Sequence, residues 1–393
     1  MGLSAIVVNI TSAGIGRRPP NTDKISGIVF YNNTEPSGFS SQNIQKVYSL
    51  PQAEALGIAE GSSGYAVEWY HVSEFFRANP NGELWIGYFA VPASTYDFAE
   101  VTTICEFAQG EIKQLAVYAN ALTFAAAQLT ALDAKADLET AKGSPIVIIY
   151  AANLAAITPV TGWAGLTSAR TLTAPRAFAV LSQDGGGAGS ELFVSKGYSI
   201  TTLGHALGML SSAQVNQSIG HPAQFNASNG SELEVLALAN GDLISVTGNG
   251  VLGSLKDKGY LIMRKYTPQL SGSYYERVPG SVAVTDDYAW IDATRPLDKA
   301  LRLVYAALVP QLQSILTLNA NGTLSTSTVG FFLDLAQAPL DQMVADNEIS
   351  AGLAKIDPTQ NVLATSNLSV SVDIVETGTA ETITLNIGLT LSL

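Results

Sequence analysis

The stretch PIVIIYAA, Pro145 to Ala152, carries no charge and no strongly polar side chain. A strand with one wet face alternates polar and apolar residues, so a short unbroken apolar run fits a strand covered on both faces. Such a strand needs helices above and below its sheet. The neighbouring sequence supplies them: strand-like ISGIVFYN, ELWIGYFAV and QLAVYA alternate with helical YAVEWYHVSEFFRAN, with FAEVTTICEFAQG ended by Gly110, and with ALTFAAAQLTALDAKADLETAKG closed by Gly143. Strands separated by helices of this length predict βαβ-type units and an open, parallel or mixed sheet. RAFAVLSQDGGGAGSELF repeats the order of strand, glycine turn and helix start, whereas 205–275 is rich in Gly, Asn and Ser and resists assignment.

The last third changes style. Thr294 is placed to cap a helix and Pro296 to sit in its first turn. Leu297, Leu301, Val304, Leu308, Leu312 and Ile315 then form one apolar stripe, which Pro310 should kink. VGFFLDLAQAPLDQMVADNEIS reads as a second helix broken at Pro339, and two alternating strands, NLSVSVDIV and ETITLNIGLTLSL, follow through Gly378. The predicted class is α/β, mixed α+β. It divides into an N-terminal arm (1–22), an outer α/β domain (23–275), an inner helix-helix-strand-strand domain (276–378) and a C-terminal arm strand (379–393).

The terminal strand raises a question of pairing. Ile383, Leu385, Ile387, Leu389, Leu391 and Leu393 occupy every second position up to the last residue. A long uncharged edge invites pairing with another chain. The N-terminal LSAIVVNI, with Leu3, Ile6, Val8 and Ile10, has a similar character and is followed by Arg17, Arg18 and two prolines. From Gly330 onward the acids Asp334, Asp341, Asp346, Glu348, Asp357, Asp373, Glu376 and Glu381 face one base, Lys355. The two ends are oppositely charged, which reads either as scattered solvated charges or as an end-to-end contact between chains, with Arg17 and Arg18 meeting Asp373, Glu376 and Glu381.

Composition favours a subunit that buries much of itself against neighbours. Only 13% of residues are charged, against about 25% in ordinary soluble chains, and 47% are hydrophobic. A formal charge of −13 opposes nucleic acid and anionic membranes as partners. The single Cys105 makes no internal disulfide and is expected to be a core thiol. The N-terminus lacks a basic leader or a signal-length apolar run, so the chain is expected to be made in the cytoplasm.

Chemistry-bearing patterns are sparse. His71, His205 and His221 lie in unrelated contexts without metal-ligand spacing, and neither a Gly-x-Ser-x-Gly elbow nor a Walker lysine is present. Gly248, Gly250 and Gly253 match the dinucleotide fingerprint, but the residues after them are too few for the helix that should hold a phosphate, so a tight turn is expected. Asp184–Gly189 reads as a flexible surface loop, and Asp286–Asp287 as a turn or cap. No catalytic residue, cofactor or metal is expected.

RPLDKALRLVYAAL, then APLDQMVADNEISAGLAKIDPTQNV, then LSVSVDIVETGTAETITLNIGLTL resembles the C-terminal domain of contractile tail sheath proteins of phages and related injection systems. Asn361 stands in that family's Asn turn, and Ala380, Glu381 and Ile383 in the element introducing its last strand. KISGIVFYN resembles the segment that follows the family's N-terminal linker; the middle agrees only in size and class. The resemblance implies a helical homo-polymer around an inner tail tube protein, in contact with baseplate and tail terminator proteins, in a virion tail or a cytoplasmic injection apparatus. It implies strand exchange through Leu3–Ile10 and Thr382–Leu393, and a tube-facing helix carrying Asp341, Met343, Val344 and Asp346. An α/β enzyme or nucleotide-binding protein using a glycine loop, and another filament or tail component, are the competing readings.

Overall fold

The computed structural model describes residues 23–389 apart from Ser63, Ser94 and Thr267. Its strands are β1 (Ile25–Tyr31), β2 (Ile44–Val47), β3 (Glu83–Phe89), β4 (Gln114–Thr123), β5 (Val147–Asn153), β6 (Ala177–Val180), β7 (Ser182–Asp184), β8 (Leu236–Leu238), β9 (Tyr260–Leu261), β10 (Met263–Tyr266), β11 (Leu270–Tyr275), β12 (Ala351–Lys355) and β13 (Ser371–Val375). The helices are α1 (Leu50–Ala55), α2 (Ala66–Ala78), α3 (Ala99–Phe107), α4 (Ala127–Ala141), α5 (Ala188–Lys196), α6 (Leu203–Ser212), α7 (Ile244–Thr247), α8 (Asn249–Asp257), α9 (Ile291–Leu308), α10 (Thr326–Ala345) and α11 (Val362–Thr365).

Seven strands form one sheet in the order β2-β3-β1-β4-β5-β6-β9, parallel throughout except for the antiparallel edge strand β2. Alternate side chains of each strand enter opposite cores, as the pleat requires. Val147, Ile149 and Ala151 pack with Val67, Tyr70 and Phe75 of α2 and Leu207 of α6. Ile148, Tyr150 and Ala152 pack with Ile104 of α3, Leu132 of α4 and Leu255 of α8. The apolar run is thus a central strand buried on both faces, and the predicted α/β class holds.

Several local expectations are corrected. Residues 203–212 form α6, buried almost all round and therefore without a polar face to read. Its Gly204 and Gly208 lie against α2 so closely that a Cβ on Gly208 would sit 2.4 Å from the Phe75 carbonyl oxygen. The fingerprint glycines do not make a turn: Gly248 caps α8 with φ 82°, and Gly250 and Gly253 lie inside that helix. It follows α7 rather than a strand. Ala121–Thr123, read as helix, extend β4 instead.

The last third is a second body built from α9, α10 and the β12–β13 pair, around Ala300, Val304, Ala336, Leu340 and Met343. Its first helix starts at Ile291, so Thr294 is not the cap; its hydroxyl donates back to the Trp290 carbonyl, and Pro296 lies inside the helix. Near Pro310 the α-helix gives way to a 3₁₀ turn rather than a kink, leaving Leu312 and Ile315 exposed instead of extending the stripe. α10 runs unbroken through Pro339, at the cost of one ladder bond to the Leu335 carbonyl. Asn361 caps α11 by accepting from the Ala364 amide.

Candidate assembly surfaces

The charged residues of α9 are turned toward the α/β body. Asp23, beside the start of β1, lies 2.6 Å from Lys299 Nζ and 3.0 Å from Arg302 Nη2, and Lys299 also reaches Glu348 at 2.6 Å. Arg295 Nη2 donates to the Leu210 carbonyl at 2.9 Å, near the end of α6. Asp298 pairs with Arg176 at 2.8 Å, and Asp292 with Arg277 at 2.9 Å. Burial opposes the charged form of Asp23, but the adjacent Lys299 and Arg302 outweigh it and hold the carboxyl below its ordinary range. The helix's basic side chains therefore clamp two parts of one chain.

β12 and β13 form an antiparallel pair whose inner side chains Ala354, Val372 and Ile374 pack on α9 and α10. The outer edge of β12 is occupied: Gln337 Nε2 on α10 donates to the Gly352 carbonyl at 3.0 Å, and Gln337 Oε1 accepts from the Ala354 amide at 2.9 Å. Gly352 faces Ile374 and Ala354 faces Val372, so antiparallel alternation turns the backbone groups of Val372 and Ile374 to the outer edge of β13. Among the described residues nothing hydrogen-bonds to that edge. It is a template for one added strand.

Beyond β13 the chain lies against its own α/β body before leaving it. Asn216 Nδ2 donates to Thr377 Oγ1 at 3.0 Å, Thr379 Oγ1 to Asp292 at 3.0 Å, and Lys256 pairs with Glu381 at 3.3 Å. From Ile383 onward no described residue belongs to a strand, and no described edge of this chain receives the segment. Ile383, Leu385, Ile387 and Leu389 are 86%, 78%, 85% and 107% exposed. Leu391, Leu3, Ile6, Val8, Ile10, Arg17 and Arg18 lie outside the described residues. Of the acids assigned to arm pairing, Asp373 pairs across the strands with Lys355 and Glu381 with Lys256, while partial burial raises the Glu376 carboxyl.

The four residues proposed to face a tube do not share a side. Asp341 and Val344 are exposed, and Asp346 terminates α10. Met343 is 1% exposed in the core of the second body, so its assignment is corrected: one residue from Val344 is a turn of about 100° around the helix axis. Sequence reading missed Gln337, the Asp23 clamp and Lys256, since each acts through a partner distant in the chain. It also missed a groove of about 680 Å³ between Leu308, Leu312, Leu316, Phe332, Leu363 and Leu368. Among the described residues no metal-binding group of His, Cys, Asp or Glu is found, and no helix is long and apolar enough to cross a membrane.

The family model described as DUF2586, N-terminal domain, matches residues 3–277, and DUF2586, C-terminal domain, matches 287–393. The chain belongs to the DUF2586 family. No curated protein matches it. Among solved structures, the DUF2586 chain is similar to a chain of the anti-feeding prophage (AFP) baseplate, six-fold symmetrised, with a TM-score of 0.62 and 12% identity over 100% of each chain. It is similar to a chain of the PVC sheath complex of an extracellular contractile injection system in the contracted state, with a TM-score of 0.63 and 12% identity over 100% of this chain and 98% of that one. A chain of the AFP baseplate in its contracted state gives 0.56 and 13%, over 99% and 98%. At such identity the likeness is one of fold, and it extends over the whole DUF2586 chain.

Proposed function

We propose that this protein is a structural subunit of a contractile tail sheath, polymerising helically around an inner tube and contracting to drive it through a target envelope. The observation that carries the reading is the pairing of a donor with an acceptor. Ile383–Leu389 has strand periodicity and no strand partner, while β13 has a vacant outer edge in the same chain. Such a segment can pair with the same edge in a neighbour, where main-chain hydrogen bonds give affinity and alternate side chains set register. Repeated head to tail, such a contact builds an open helix. Fold likeness to a chain of a contracted sheath complex supports the same reading.

In this proposal the partners are other copies of the chain, the inner tube protein, and baseplate and tail terminator proteins. Neither nucleic acid nor membrane is bound, and no catalysis or cofactor is involved. The protein works in a phage tail or a bacterial injection apparatus after synthesis in the cytoplasm. Because two of the similar chains come from baseplate structures, a subunit confined to the baseplate is the second reading. Negative-stain electron microscopy of the purified full-length chain across concentration and salt tests both. Hollow striated tubes, lost when the last eleven residues from Ile383 are removed, agree with a sheath; closed rings of fixed size agree with the baseplate.

A further inference from the structure

The glycine-rich turn Asp184–Gly189 is packed rather than flexible, and it brings two carboxyl groups together. Asp184, at the end of β7, is 0% exposed, and its Oδ1 accepts from the Gly186 amide at 3.2 Å. Its Oδ2 is buried and receives no N–H or hydroxyl donor. Glu232 comes from the 229–235 turn and accepts the Ala188 amide at 3.2 Å and 3.4 Å, at the start of α5. A Cβ on Gly187 would stand 2.5 Å from both Asp184 Oδ2 and Glu232 Oε2, so the two oxygens flank one glycine and only glycine fits between them.

We propose that Asp184 and Glu232 share one proton beside Gly187, forming a pH-sensitive catch that holds the 229–235 turn on the start of α5 and opens when the proton is lost. Two carboxylates cannot hydrogen-bond each other, whereas a carboxylic acid donates to a carboxylate, and like charges flanking one glycine resist joint ionisation. Asp184 Oδ2 and Glu232 Oε2 converge on the same point beside Gly187. The surroundings reinforce the proton. On α2, Glu74 adds negative charge, Tyr70 has a buried hydroxyl without a partner, and Arg77 is committed to Glu74 at 2.7 Å. Beyond Arg77, His205 on α6 is kept neutral by burial and by the Arg77 charge, and Tyr275 on β11 by burial. Lys265 on β10 is directed to the Glu234 carbonyl, and Glu191 on α5 is exposed.

Burial and the adjacent carboxyl groups of Asp184 and Glu74 push the Glu232 carboxyl up to about 7, from 4.5 when free. The closed turn is therefore fully favoured below the free value and loses that advantage as pH rises through the bound one. On losing the proton, Glu232, the more exposed partner, swings to water, and its hold on the Ala188 amide goes with it.

Hydrogen–deuterium exchange of the full chain, read on peptides covering 184–196 and 228–240 from pH 5 to 8 and corrected for intrinsic exchange, tests the catch. The wild type should show a roughly tenfold rise in local exchange, discounted for the partial exposure of Glu232, centred near pH 7. Glu232→Gln, which keeps a donor toward Asp184 but cannot ionise, should stay slow at every pH, and Glu232→Ala should be fast at every pH. No step in the wild type, or the same step in Glu232→Gln, overturns the proposal. So does a step erased by added calcium or exposed by chelator, which would mean a bound divalent cation in place of the proton.

Discussion

Gln337 Oε1 accepts the Ala354 amide at 2.9 Å, so a side chain of α10 does for β12 what a third strand would do. Gln337 Nε2 donates to the Gly352 carbonyl at 3.0 Å, which closes one edge of a two-stranded sheet and, among the described residues, leaves the β13 edge open for extension. Replacing Gln337 by Leu keeps the volume and removes both bonds. Two lost hydrogen bonds at a half-buried edge cost about 1–3 kcal/mol. The newly open edge should also let purified protein associate irregularly. Urea unfolding midpoints and light scattering read the two effects separately, and unchanged scattering would mean that β12 is protected by something other than Gln337.

Asp23 ties the start of β1 to α9 through Lys299 and Arg302. Breaking one partner of a buried ion network strands the remaining charges, so Asp23→Asn should lower stability by about 2–4 kcal/mol. Its folded value lies below the ordinary 3.8, so the contribution is complete above that value and disappears as pH falls through the lower folded one. The urea midpoints of wild type and variant should therefore differ at pH 7 and converge near the acid limit of folding. A gap that persists at low pH would assign the loss to packing instead of charge.

His71 is 0% exposed between Phe30, Tyr70 and Tyr118, and neither ring nitrogen has a hydrogen-bond partner. Burial pushes it down to about 3 from 6.5. The folded chain thus holds a neutral imidazole, whose contribution is whole above the unfolded value and declines as pH falls toward the folded one. Near pH 5 this amounts to about 2 kcal/mol. His71→Phe should remove that part of the acid sensitivity, so its advantage over wild type grows between pH 7 and 5 by roughly the same amount. Thermal melts at the two pH values decide it; parallel losses in both proteins would contradict the assignment.

What was legible in the sequence follows from how locally each element is determined. Ile28–Tyr31 and Val147–Ala152 are unbroken apolar runs, and that marks strands covered on both faces. α6 lacks this signal because it is buried all round, and its glycines, read as loop residues, admit the close approach of α2. The α9 start was misplaced because Thr294 looks like a cap, while the helix begins earlier where Ile291 enters the core. The Asp23 clamp and the Asp184–Glu232 pair join residues far apart in sequence, so no spacing rule could display them. The terminal alternation was visible, but a strand pattern states only that a partner is needed, not where it lies.

That need supports a final prediction. Leu385 and Leu389 are 78% and 107% exposed and lie on the same side of a period-two segment, so neither stabilises the folded chain they belong to. Substituting both by Asp should leave the unfolding midpoint within about 0.5 kcal/mol of wild type, as is usual for surface positions. In the polymer the same side chains would enter a neighbour's core beside Val372 and Ile374, where an unpaired carboxylate is strongly disfavoured. Tubes should therefore vanish in electron micrographs while the monomer elutes unchanged. Excess wild-type peptide 379–393 should compete in the same way by filling the β13 edge. Normal tubes from the double variant would remove the donor segment from the assembly, whereas lost tubes with a collapsed unfolding midpoint would show that the segment serves its own chain.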